Sequence, residues 1–237
     1  MMPDPIHRCF VQLEAGVPAF STHDSRSTGP SNLSPGSGMR RVHPIETESY
    51  RILREMVDLS SLGPLSRAVA ERVIHASADP EYAETLALDE GTLERAVETL
   101  RRGVPVVADV RMVAAGITSG EPLCFVSDPR TVQLSERLGI TRSAAGFRIA
   151  AEEVGAGAVW VIGNAPTALF ELLKMDAKPA LVVGLPVGFV GAGESKVELL
   201  ESGLPAVANR GPKGGSAVAA AALNALLYYE EGPRAVS

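Results

Sequence analysis

The chain has little of what marks a secreted, membrane or nucleic-acid-binding protein. Only two of its 237 residues are cysteine. Cys9 and Cys124 have neither redox nor metal-ligand spacing, and Cys124 lies in the apolar run 122–126, where a buried, inert thiol is expected. Aromatic residues make up 5% of the chain, with a single Trp, so the core must be aliphatic. No apolar stretch approaches the roughly 20 residues of a membrane-spanning helix, and the N-terminus has no basic region followed by an apolar block. The expectation is a cytoplasmic, reduced protein. Lys and Arg number 22 against 28 Asp and Glu, a net charge of −6. With no basic stripe to offset that balance, nucleic acid is not an expected partner. Histidine is scarce too, four in all. There is no metal-ligand cluster, no Ser/His/Asp order and no nucleophile elbow, so metalloenzyme and hydrolase readings find no support.

What the chain has is glycine and aliphatic residues: 23 glycines, with 46% of residues hydrophobic. That composition suits a layered α/β domain. Residues 1–40 differ from the rest; the segment 21–38 is rich in Ser, Gly and Pro and reads as a flexible extension. His7 and His23 fall there as solvated bystanders. Over residues 41–237 the apolar spacing predicts helices at 48–57, 65–75, 89–102, 131–138, 144–154, 167–175, 195–202 and 216–229. Strands are predicted at 104–109, 123–126, 158–162, 180–183 and 206–208. Strands apolar throughout and alternating with helices imply a single three-layer α/β domain, its mainly parallel sheet flanked by helices.

Ligands of such sheets bind beyond the carboxyl ends of the strands. Those ends hold three glycine-rich loops here: Gly163-Asn-Ala-Pro-Thr-Ala-Leu-Phe170, the run 184–196, and Asn209-Arg-Gly-Pro-Lys-Gly-Gly-Ser216. Each either makes tight turns or offers backbone N–H groups at a helix N-terminus to carboxylates or phosphates. Gly163 suits a positive φ or a close ligand approach, and Thr167 a helix cap or first turn. Nucleotide motifs are incomplete: Lys196 stands where a dinucleotide fingerprint needs its third glycine, and Lys213 precedes its glycines instead of following them. His75 ends an apolar helix, as a structural histidine or as the group that titrates near neutral pH. Arg72 lies one turn earlier on the same face. Asp109 ends a strand, as a helix cap or a site residue. Arg142 is a carboxylate fork or a surface arginine. His43 reads as a surface residue.

Taken together, Arg72-Val-Ile-His-Ala76, Asp109-Val-Arg-Met-Val-Ala-Ala-Gly116, Thr141-Arg-Ser143, Gly163-Asn-Ala-Pro-Thr-Ala-Leu-Phe170, Pro186-Val-Gly-Phe-Val-Gly191, Glu194-Ser-Lys196 and Gly214-Gly-Ser216 resemble the precorrin-8X methylmutase family, in family order over about residues 44–227. The resemblance implies an isomerase of cobalamin biosynthesis that moves a methyl group from C11 to C12 of a corrin precursor, giving hydrogenobyrinic acid or its cobalt-containing equivalent. It implies no cofactor and no metal, and a homodimer with its pocket near the subunit interface. His75 takes the acid/base role. Ser49, Arg72, Asp109, Met112, Gly116, Arg142, Asn164 and Thr167 are the implied substrate contacts, and Met112, Val113 and Phe189 are candidates to line the ring face. A corrinoid carrier without turnover and a nucleotide-binding α/β protein are the rival readings.

Overall fold

Along each central strand, successive side chains enter two different cores. Val159 and Val161 pack with Leu181, Val183 and Val207 in one apolar cluster, while Trp160, Ile162 and Val182 belong to another. A period of two with both faces apolar requires a sheet covered on both sides. The computed structural model describes residues 44–229, all within one compact unit, Val42–Ser237. The predicted flexible extension at 1–40, with Cys9, His7 and His23, and also His43, lie outside the described residues.

The elements run α1 (Pro44–Met56), α2 (Pro64–Ser77), α3 (Tyr82–Thr85), β1 (Leu86–Ala87), α4 (Glu90–Arg101), β2 (Val106–Ala108), α5 (Arg111–Gly116), α6 (Pro129–Leu138), α7 (Arg142–Val154), β3 (Val159–Ile162), α8 (Pro166–Lys174), β4 (Leu181–Gly184), α9 (Ala192–Glu201), β5 (Ala206–Asn209) and α10 (Ser216–Leu227). The sheet order is β1-β5-β4-β3-β2, parallel except for the edge strand β1, which pairs antiparallel with β5. Helices α2, α4 and α10 pack on one face, and α7, α8 and α9 on the other. No helix among the described residues is long and apolar enough to cross a membrane.

Local chemistry explains where the helices start. Asp89, Asp128 and Thr141 cap α4, α6 and α7, each side chain accepting from a backbone N–H of the first turn. Helix α2 has Gly63 at its N-cap and no cap of its own. Glu90, from the start of α4, supplies one by accepting from the N–H groups of Leu65 and Ser66, at 2.8 and 2.9 Å, and from the Ser66 hydroxyl. Its carboxyl is held below the ordinary Glu value because these bonds outweigh the opposing effect of burial.

Helix α10 decides where α2 ends. Ten of its twelve residues are buried, and its alanines let it lie close between the sheet and α2. It starts where β5 ends and runs back along the strands. Helix α2 runs the other way: Asp79, just beyond α2, pairs with Lys213, just before α10. At the opposite end Ala68 shares a cleft with Ala225 and Tyr229. The C-terminal end of α2 therefore lies on the carboxyl side of the sheet.

One predicted strand is absent. Of residues 123–126 only Leu123 joins the sheet, by a single bridge to Val107. The chain then turns at Phe125, whose carbonyl accepts from the Asp128 N–H, and its backbone lies against Gly146 of α7. Cys124 is consequently half-buried instead of buried, and burial pushes its thiol up, which keeps it inert.

Candidate active site

Helices α1 and α2 bring three expected site residues together. The Ser49 hydroxyl lies 2.9 Å from His75 Nδ1. A hydroxyl both donates and accepts, so Ser49 serves either imidazole tautomer and leaves Nε2 for chemistry. The ring of Tyr50, the next residue, stacks on the His75 ring with centroids 4.7 Å apart and planes 13° apart. Arg72 lies one turn before His75, its guanidinium 5.8 Å from the centre of the Tyr228 ring. Two clefts flank this stack. One, of about 150 Å³, is lined by Ser49, Ile52, Leu53, Met56, Ile74, His75, Ala78 and Pro80. The other, of about 440 Å³, includes Tyr50, Arg54, Arg72 and Tyr228 among its walls. Helix α1 buries only Leu53, leaving Ile52 and Met56 43% and 64% exposed where they border the His75 cleft.

A second group forms at the carboxyl ends of β2 and β3. Asp109 is 1% exposed. Its carboxylate accepts from the backbone N–H groups of Gly163, Asn164 and Ala165 at 3.3, 2.9 and 2.8 Å. Burial pushes its carboxyl above the ordinary Asp value, against the pull of those N–H groups. Asp109 thus caps another element's loop, not its own helix, and the N–H groups of this loop are spent on an internal anion instead of being free for a ligand. Gly163 is itself buried. A Cβ there would come within 2.9 Å of Ser216, Val113 and Ala219, so its close approach is to α10, not to substrate. Thr167 sits in the first turn of α8, and its hydroxyl is 2.7 Å from that of Thr141. Asn164 and Arg142 are exposed beside it, and Arg142 has no charged partner among the described residues.

The remaining expected residues separate. Met112 is 71% exposed and Phe189 fully so, whereas Val113 belongs to the core and cannot face a ring. Gly116 answers a packing need: a Cβ would strike Ala220, and its carbonyl accepts from Asn224 at 2.8 Å. No described side-chain contact joins the His75 group to the Asp109 group; α10 lies between them.

A family model described as precorrin-8X methylmutase matches residues 44–229. The chain belongs to the precorrin-8X methylmutase family. It is 42% identical over 200 residues to the cobalt-precorrin-8 methylmutase of Methanothermobacter thermautotrophicus, covering 81% of this chain and 95% of that one. It is 41% identical over 205 residues to the precorrin-8X methylmutase of Pseudomonas aeruginosa, covering 81% and 98%. A crystal structure of precorrin-8X methyl mutase from Thermus thermophilus superposes with a TM-score of 0.70 at 34% identity, over 78% of this chain and 96% of that one.

Against that family background, two residues stand out in settings that the sequence did not reveal. Tyr50 carries no motif of its own; its role is visible only once α1 lies against α2. Lys196 is fully buried without a carboxylate partner among the described residues. Lys213 gives its ammonium to Asp79 and Glu81, at 2.6 and 2.7 Å. No group of three or more His, Cys, Asp or Glu among the described residues is placed to hold a metal ion.

Proposed function

We propose that this chain moves a methyl group from C11 to C12 of precorrin-8X, or of its cobalt-containing counterpart, with His75 as the acid/base group. The observation that carries the proposal is His75 itself, braced by Ser49 and Tyr50 at the mouth of a largely apolar cleft, in a chain of this family. A protonated His75 gives its Nε2 proton to the conjugated macrocycle. The C11–CH₃ bond breaks as its electron pair forms the C12–CH₃ bond. The proton then returns to the imidazole, so substrate and product are isomers and nothing is consumed. Arg72 suits the ring's peripheral carboxylates, Arg142, which lies apart with the Asp109 group, suits them only across a subunit interface, and Ile52 and Met56 suit the ring's apolar face.

The site is proposed to be completed in a homodimer, acting in the cytoplasm. A pocket that encloses a drug-sized ligand runs to about 300–1,000 Å³; the cleft at His75 has about 150 Å³, so a macrocycle needs a further wall. The exposed Ile45 of α1, outside the cleft lining, suits that contact.

The test is turnover. Purified protein is incubated with excess metal-free or cobalt-containing substrate, and conversion is followed by absorbance. Consumption well beyond one equivalent supports an isomerase, while a stop at one equivalent makes the chain a corrinoid carrier. A nucleotide-binding protein would instead gain thermal stability from ATP or NAD.

A further inference from the structure

Lys196, in α9, is fully buried, and no part of the proposed chemistry uses it. Its ammonium donates to Asn209 Oδ1 at 3.0 Å and to the Lys213 carbonyl at 2.5 Å. Asn209 in turn donates to the carbonyls of Arg210 and Lys213. No carboxylate among the described residues neutralises the charge, and burial pushes its pKa down to about 8. A buried cation kept without a counter-ion costs stability, and an apolar side chain would serve packing better. Something other than packing must account for it.

Its bonds lead toward His75. They fix the turn 209–215 between β5 and α10. That turn is also tied to the β4 loop, through Gly215 N–H to the Leu185 carbonyl at 2.9 Å and Gly188 N–H to the Pro212 carbonyl at 3.2 Å. Gly214 fits only because it has no Cβ, which would collide with the backbone of Leu185 and Pro186. From the same turn, the Lys213 side chain reaches Asp79 and Glu81. Those residues directly follow the end of α2, where Ala78 takes a left-handed conformation with φ 52°, three residues beyond His75.

We propose that Lys196 is a positioning residue for His75, acting through the 209–215 turn and the Lys213 bridge to fix the end of α2. This rests on the methyl-migration reading for its kinetic effect, but not for its structural one. Lys196→Met removes the interior anchor, and Lys213→Met cuts only the exposed bridge. Kinetics with precorrin-8X should show kcat lower by about tenfold or more in K196M, the scale expected of a displaced catalytic group. KM should stay within about twofold, because substrate binding is not what the tie supplies. K213M should lose kcat in the same sense, and the double variant should be no slower than K196M, because both act on one chain of contacts. The His75 Cε1–H resonance, read by NMR without substrate, should shift in both single variants. Wild-type kcat and an unmoved His75 resonance in folded variants would overturn the proposal, as would losses that simply multiply in the double variant. If K196M does not fold, K213M alone decides between these outcomes. If the wild-type protein itself shows no turnover, the methyl-migration reading fails and the resonance still decides the positioning.

Discussion

Replacing Asp109 by Ala tests whether the loop after β3 is built on an internal anion. The wild-type carboxylate accepts three backbone N–H groups at 3.3, 2.9 and 2.8 Å while 1% exposed. Hydrogen bonds to a charged acceptor contribute about 1.5–3 kcal/mol each. Three of them would reach about 4.5–9 kcal/mol, but burying the carboxylate costs more than they return, which is why its pKa is raised despite the donors. The loss should still be about 3–5 kcal/mol, because Ala leaves three N–H groups without their buried acceptor. For a chain of this size that lowers Tm by roughly 6–20 °C. Asp109→Asn keeps one accepting oxygen but turns an amide N–H₂ toward backbone donors, so it should fall between Ala and wild type. Urea unfolding followed by circular dichroism measures the change as a lower midpoint at unchanged slope. A D109A midpoint equivalent to a loss below about 1 kcal/mol would refute the reasoning, since three N–H groups cannot lose a buried anion so cheaply.

Three further outcomes follow from named contacts. Glu90→Gln should cost about 1 kcal/mol at neutral pH through its weaker cap on α2. Because the Glu90 carboxyl is held below its ordinary value of 4.5, its contribution is complete above that value and is lost as pH falls through the folded-state value. Denaturant midpoints should therefore fall less on acidification in E90Q than in wild type. Tyr50→Leu removes a stack worth about 0.5–1.5 kcal/mol, so kcat should drop roughly two- to twelvefold with KM little changed. Tyr50→Phe, which keeps the ring, should stay near wild type, and steady-state kinetics compares the two. Arg72→Met removes the proposed charge-assisted contact to a substrate carboxylate, of about 1.5–3 kcal/mol, and should raise KM by roughly tenfold or more, measured in the same assay.

The layered sheet was legible because its strands are apolar on both sides and separated by helices of full length. The predicted strand at 123–126 was apolar enough but is stopped by tertiary packing, since Phe125 turns beneath α7 and leaves Leu123 a lone bridge. The pieces α3, β1 and α5 were not seen because two to six residues carry too little periodicity. Among the candidate site residues, His75 was marked by its imidazole chemistry and raised to the acid/base role only by family resemblance, Arg72 by its place one turn before it, and Ser49 by the resemblance. What the spacing could not give is direction. Asp109 and the backbone of residues 163–165 looked like two separate features, one a cap and the other an anion cradle, yet they satisfy each other. Gly163 and Gly116 looked like ligand positions and are close approaches to α10. Tyr50 and Lys196 depend on contacts between elements distant in sequence, which no local pattern encodes.

His75 is the residue on which the proposed proton transfer depends. His75→Ala and His75→Asn should be compared with wild type for turnover of precorrin-8X by absorbance, and for hydrogenobyrinic acid affinity by fluorescence quenching. A positioned general acid contributes roughly 10²–10⁴-fold, so kcat should fall by that factor while product affinity stays within about threefold of wild type. Turnover at the wild-type rate in either variant would contradict the central claim.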